Sequence, residues 1–352
     1  MFVDIRKIIP LLMLVVGLSM SCTQGDNMER DALKLLRKSE KKFNETYEGK
    51  EIDLSYSDLS GMKIKEATLK CANLKGAILT KTVFKKCNLE KADLSGATLD
   101  HTYFNTCDMN DVKIIKSKFN TVFFEDSNVE NADFHESRFA KIQFEKTELS
   151  DSNLTGIIIN DGVFLKSEVQ HCDIRNSKLM KVVINDTNFI GSDLTDSIIQ
   201  GSIVESSLFA DCILIRTNFS GSKFKGRLFS SPNFRGAKAK NVNFSNCKMY
   251  GISMLGGTDL ENADFSNSNI EIMDVQSANL KNAKFYNTSL NAINFGHADL
   301  TNADFRNAAF VDYVRLTDTK LEGTLFNNVT LIKNPEIDLK DTIYEGKSLP
   351  ID

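Results

Sequence analysis

The chain has 352 residues, 41% of them hydrophobic, with a formal net charge of −4. That charge is too mild to imply a nucleic-acid or other polyelectrolyte partner. The hydrophobic fraction is also too low for a strict spacing of large apolar residues to arise by chance, yet such a spacing fills most of the chain.

Residues 1–21 carry Arg6 and Lys7 and then an apolar run from Ile8 to Leu18. The run is too short to span a bilayer and suits the core of a signal peptide. It ends at Leu18-Ser19-Met20-Ser21-Cys22, which resembles a bacterial lipoprotein signal. The resemblance implies lipid on Cys22 as the first mature residue, although Ser19 stands where that family prefers Leu. A plain secretory signal cleaved nearby is the other reading, and it leaves Cys22 an ordinary thiol. Thr23 and Gln24 follow the cysteine in place of Asp, which resembles sorting to the outer membrane of a Gram-negative cell. Residues 22–50 are expected to form a polar tether and a short helix. Ala32, Leu35, Leu36 and Phe43 recur at helical spacing, and their expected task is to cover the apolar end of the repeat region that begins at residue 51.

From Leu54 to Met254 every fifth residue is large and apolar, with Ala239 the single exception. A period of five fits neither a helix nor a simple strand. Two residues before each centre sits a small side chain, among them Ala72, Ala77, Cys87, Ala92, Ala97, Cys107, Ser127 and Ala132. Asp or Asn lies between them in the purest copies, such as Ala92-Asp93-Leu94, Ala263-Asp264-Phe265 and Ala303-Asp304-Phe305. These residues resemble the pentapeptide-repeat family, A(D/N)LXX, over residues 51–331. The resemblance implies an all-β, right-handed quadrilateral β-helix in which four pentapeptides make one square coil. Centre and small residue then point inward, and the other three side chains face solvent. Six-residue steps interrupt the count from Met254 to Leu260 and from Phe310 to Leu316. The count gives about 14 coils and a rod about 65 Å long, at about 4.8 Å per coil. Arg227 and Pro232 occupy small-residue slots, which predicts a local bulge without a break in the rod. The tail, residues 332–352, loses the repeat and is expected to cap the far end through Ile337, Leu339 and Ile343.

The seven cysteines do not form a disulfide or metal pattern. Cys87, Cys107, Cys172, Cys212 and Cys247 occupy the inward small slot, and Cys71 falls on an outward one. His101 and His171 lie on opposite faces, and no His/Cys/carboxylate group has metal spacing. A catalytic dyad needs a cleft, which a rod lacks, so the chain reads as non-enzymatic and without a cofactor.

The outward slot before each centre should be polar. On one face, taking every twentieth residue, it reads Val83, Tyr103, Phe123, Gln143, Val163, Val183 and Ile203, with Leu165 alongside. Lys85, Lys86, Glu125, Asp126, Glu145 and Lys146 flank the strip. An apolar strip with a polar rim suits a protein partner or self-association. Cover by the N-terminal helix, or simple β-propensity, would also account for it. The resulting expectation is a lipid-anchored scaffold or interaction module in a bacterial cell envelope. The alternative is a DNA-mimic inhibitor or protector of topoisomerase, as the family resemblance also allows. That reading needs a cytoplasmic location and would use the acidic row Glu90, Asp111, Glu130 and Asp151.

Overall fold

A large apolar side chain at every fifth position can be buried throughout if the chain turns a corner at the same interval. The computed structural model describes residues 31–227, 230–332 and 337–338, and there the backbone turns in this way. Cys22 and the signal segment, Phe229, Pro335, Leu339, Ile343 and Pro350 lie outside the described residues. Two residues after most centres the backbone enters the left-handed region, as at Lys91 (φ 60°), Gly96 (φ 71°) and Asn131 (φ 54°). Gly and Asn suit this region because one lacks a Cβ and the other has a short polar side chain. Asp or Asn before the centre supports the corner, since its Oδ1 accepts from the amide two residues on. Ser55 N to Asp53 and Ser95 N to Asp93 are both 3.0 Å.

Four corners return the chain to its start one rung higher, giving a parallel β-solenoid of about 13 turns. Val83 faces Tyr103, Tyr103 faces Phe123 and Phe123 faces Gln143 across successive rungs. Backbone bonds run along the rod, as from Leu74 N to Asp93 O and from Leu94 N to Lys113 O, both 2.8 Å. The four faces are numbered here by their first centres, Leu54, Leu59, Ile64 and Leu69.

Inside, centres stack on centres. Phe84, Phe104, Phe124, Phe144 and Phe164 form a column on the third face with ring centroids 5.1 to 5.2 Å apart. Phe219, Phe244, Phe265, Phe285, Phe305 and Phe326 form another on the second. The small slot most often holds Ala or a residue whose polar atom reaches a carbonyl of the preceding rung, with Val or Ile at positions such as Val112 and Ile142. Thr82 Oγ1 donates to Leu59 O at 2.8 Å, and Cys212 Sγ to Phe189 O at 2.9 Å. A thiol therefore substitutes for a hydroxyl there. All six described cysteines are free, five of them buried and Cys71 exposed.

The structure departs from the sequence expectation in three places. Rungs are normally 20 residues apart, but Leu208 pairs with Asn233 and Lys223 with Lys248. The chain between Phe224 and Phe234 therefore leaves the ladder, closed by an antiparallel bridge between Arg227 and Ser230. This removes one corner, a quarter of a coil, from the count of fives, and the solenoid has about 13 turns where 14 were expected. Both six-residue steps are present, with Gly256 and Gly257 in the left-handed region at φ 71° and 76°. Second, the N-terminal helix is two helices: α1 across 31–38 and α2, Glu40–Tyr47. Ser39 separates them and caps α2, its side chain accepting from Lys42 N. Third, Leu331, counted as a centre, is 39% exposed at the far end of the described solenoid.

The helices sit on the first turn. Leu36 and Phe43 are buried in the same core cluster as Leu54 and Ile64. Asn44 bridges to the first rung, donating to Glu66 O and accepting from Thr68 N at 2.8 Å each. At the other end Ile337 pairs with Val314 and packs against the core.

Candidate interaction surface

The third face is built from short strands whose inward residue is a core centre and whose outward residue precedes it. Val83, Tyr103, Phe123, Gln143, Val163 and Val183 stand half-buried in one register column, and Ile203 above them is 38% exposed. The Tyr103 and Phe123 rings are 5.8 Å apart. Leu165, half-buried, widens the strip two residues over and pairs in register with Glu145 and Asn185. The column becomes polar at Lys223 and Lys248. The helices do not cover it: their described hydrogen bonds to the solenoid go to Asp58, Glu66 and Thr68.

One side of the strip is mixed in charge, with Lys85, Asn105, Glu125 and Glu145 in one register column. Glu125 and Glu145 lie two residues after Phe123 and Gln143 and face one another across adjacent rungs. Their described hydrogen-bond partners are the neutral donors Asn105 Nδ2 at 2.9 Å and Gln143 Nε2 at 3.0 Å. Asp126, beside Glu125, reaches Lys146 at 3.7 Å.

On the opposite side Lys141 and Lys181 stand at the corner and Lys118, Arg138 and Lys178 lie on the adjoining second face, a grouping that escaped the sequence reading. At Thr121, Lys141 and Asp161 the corner residue does not enter the left-handed region. The second face runs into the third as the continuous eight-residue strands Lys118–Glu125 and Arg138–Glu145. Lys118 faces Arg138 across adjacent rungs, and Lys141 lies two residues before Gln143. Lys118, Arg138, Lys141, Lys178 and Lys181 are all exposed, and none reaches a carboxylate within ion-pair distance among the described residues. Asp161 is the lone acid among them. The signal was present as basic residues at a spacing of twenty, but the period of five assigns Lys118 and Arg138 to a different face.

Part of the acidic row is locally matched. Glu90 of the acidic row is bridged by Lys70 at 2.6 Å and Lys91 at 3.1 Å, and Lys91 also reaches Asp111 at 3.9 Å. The two lysine bonds hold the Glu90 carboxyl below its usual range. His101 and His135 each contact a neighbouring Asp, at 2.9 and 2.7 Å. No group of His, Cys, Asp and Glu among the described residues could hold a metal ion.

A family model described as a pentapeptide repeat region matches residues 77–154 and 237–310, and one for pentapeptide repeats in eight copies matches 50–80. Among solved structures, the chain is similar to QnrB1, a plasmid-mediated fluoroquinolone resistance protein. The match has 17% identity over 63% of this chain and 89% of the other, with a TM-score of 0.39. HetL of the cyanobacterium Nostoc sp. strain PCC 7120 matches at 17% identity over 83% of this chain and 92% of that one, with a TM-score of 0.21. Rfr23 of Cyanothece 51142 matches at 25% identity over 40% and 91%, also with a TM-score of 0.21. Comparison with curated proteins gives no match.

Proposed function

We propose that this chain, which belongs to the pentapeptide-repeat family, is a non-enzymatic docking rod that holds a protein along the strip of its third face. Lipid on Cys22 ties the rod to a bacterial cell envelope, on the outer membrane. One observation carries the docking role. The apolar column Val83 to Ile203 occupies outward slots that the fold does not need for its core, which the inward centres already fill. Exposed apolar strips with charged margins are characteristic of contact surfaces. Proteins of this repeat family are generally non-enzymatic scaffolds.

The anchor is tested by metabolic labelling with palmitate and cell fractionation, comparing wild type with Cys22→Ala. The expected result is label and membrane association for wild type only. A wild type that is unlabelled and soluble removes the anchor and the envelope with it. Docking is tested with Phe123→Glu/Val163→Glu, which keeps the fold because both side chains point outward. An unchanged oligomeric state together with an unchanged set of co-purifying proteins would sink the docking role.

A further inference from the structure

The second face carries a cluster of cations that its own fold does not neutralise. Lys118, Arg138, Ile158, Lys178 and Ile198 follow one another in one register column. Lys141 and Lys181 stand at the next corner, and all five cations are exposed. Across four rungs of this face, 116–121, 136–141, 156–161 and 176–181, six cations stand against two acids, in a chain whose formal net charge is −4. One of those acids, Glu136, is bridged by Lys116 at 3.5 Å, and the other is Asp161. No carboxylate lies within ion-pair distance of Lys118, Arg138, Lys141, Lys178 or Lys181 among the described residues. Like charges directly opposite on adjacent strands, as in Lys118 and Arg138, are destabilising, and a negatively charged surface laid on the face would reverse that cost.

The chemistry of the face selects among negatively charged surfaces. Ile158 and Ile198 are half-buried in the cationic column, with Met180 half-buried and Ala140 exposed beside it. Apolar side chains among lysines and arginines suit the boundary between headgroups and acyl chains, where burial and charge both contribute. The aromatic rings of those four rungs, Phe119 and Phe139, point inward, so the stacking platform used by single-stranded nucleic acid is missing. We infer that the second face lies on a bilayer of anionic lipid, with Lys118, Arg138, Lys141, Lys178 and Lys181 among the headgroups. The inference rests on the anchor proposed above only for what brings the bilayer within reach. The N-terminal helices sit on the first turn, and Lys118 is three rungs beyond it, about 14 Å. Nine residues, 22–30, extend at most about 30 Å, which lets a rod anchored at Cys22 lie down along this face. The third face is then one corner away, with its apolar strip turned along the membrane plane and open to a protein partner.

The test is flotation of the purified full chain with vesicles, in a Cys22→Ala background so that no lipid anchor contributes. Vesicles of phosphatidylcholine alone are compared with vesicles that also contain phosphatidylglycerol, and circular dichroism and melting confirm the fold of each variant. Residues 1–21 are common to every variant, so the readout is the preference for anionic vesicles relative to the parent chain. Lys118→Gln/Arg138→Gln/Lys178→Gln should lower that preference by about a hundredfold, at about fivefold for each cation removed near an anionic surface. Lys223→Gln/Lys225→Gln/Lys248→Gln removes the same charge from the third face and should lower it by less than about tenfold. Orientation is read by an environment-sensitive fluorophore on Ala140→Cys or on Gln170→Cys of the fourth face, with Cys71→Ser added. Only the label at position 140 should shift to the blue on anionic vesicles. Equal losses in the two triple variants, equal shifts of the two labels, or no preference for phosphatidylglycerol in the parent chain would each overturn the inference. So would retention on an anionic polysaccharide or oligonucleotide that the second-face variant loses while its vesicle binding stays unchanged, since the occupant would then be a linear polyanion. Palmitate labelling of wild type bears on the anchor alone. Its failure alongside a vesicle preference leaves this face standing, and its success without one removes the face and keeps the anchor.

Discussion

Phe123 and Phe124 are adjacent residues of the same type with opposite orientations, so truncating each to Ala isolates the effect of facing inward. Phe124 is fully buried. The rings of Phe104 and Phe144 stack on either side of it at 5.1 Å, and Phe134 meets it edge-on at 6.2 Å. Phe124→Ala should cost about 3–5 kcal/mol, the range for Phe truncation in a packed core. The lost aromatic pairs contribute about 0.5–1.5 kcal/mol each within that total. Phe123 is half-buried with one ring contact, to Tyr103 at 5.8 Å, so Phe123→Ala should cost about 1 kcal/mol or less. A solenoid unit contacts only its neighbours, so a single unfolding midpoint is a poor measure, and amide hydrogen exchange is the better assay. Phe124→Ala should strip protection from the strands Lys118–Glu125 and Arg138–Glu145 and leave Ser289–Asn294 unchanged. Equal costs for the two substitutions, or a loss spread evenly along the rod, would refute both the inward alternation and the local coupling.

Thiol accessibility tests the inward slot. Burial pushes Cys172, Cys212 and Cys247 up to about 12, and Cys107 is raised by its hydrogen bond with Cys87 and by burial. At pH 8 those thiols stay protonated and shielded, so a thiol reagent on the native protein should label Cys71 alone among the described cysteines. Denaturant should release the other five. The N-terminal cap is tested by Asn44→Ala, which removes the bonds to Glu66 O and Thr68 N. It should cost about 1–3 kcal/mol, seen as faster amide exchange in the first turn and none beyond the fourth.

The repeat was legible because a five-residue corner leaves the inward pair of slots no chemical freedom. Leu94, Leu99 and Phe104 have to be large, and Ala92, Ala97 and Thr102 have to fit beside them. The six-residue steps were legible for the same reason, since each displaces the slots by one. The excursion after Phe224 was legible as a bulge, from Arg227 and Pro232 in small slots, but not as a departure from the ladder, because it spans a whole multiple of five and leaves the spacing of apolar residues undisturbed. Its trace lay in Gly226, where a Cβ would collide with the Gly251 carbonyl oxygen, and in Pro232. The apolar strip could be read from the register of twenty, but its basic margin could not. Lys118 and Arg138 flank second-face centres, and their strands run on into the third face because Thr121 and Lys141 stay out of the left-handed region, beside the β-branched Val122 and Ile142. Bulk in that slot does not decide the corner: Gly162 follows the altered corner at Asp161, whereas Val112, Ile157 and Val182 follow corners that stay left-handed, so the variation is read from the backbone and not from the residue type.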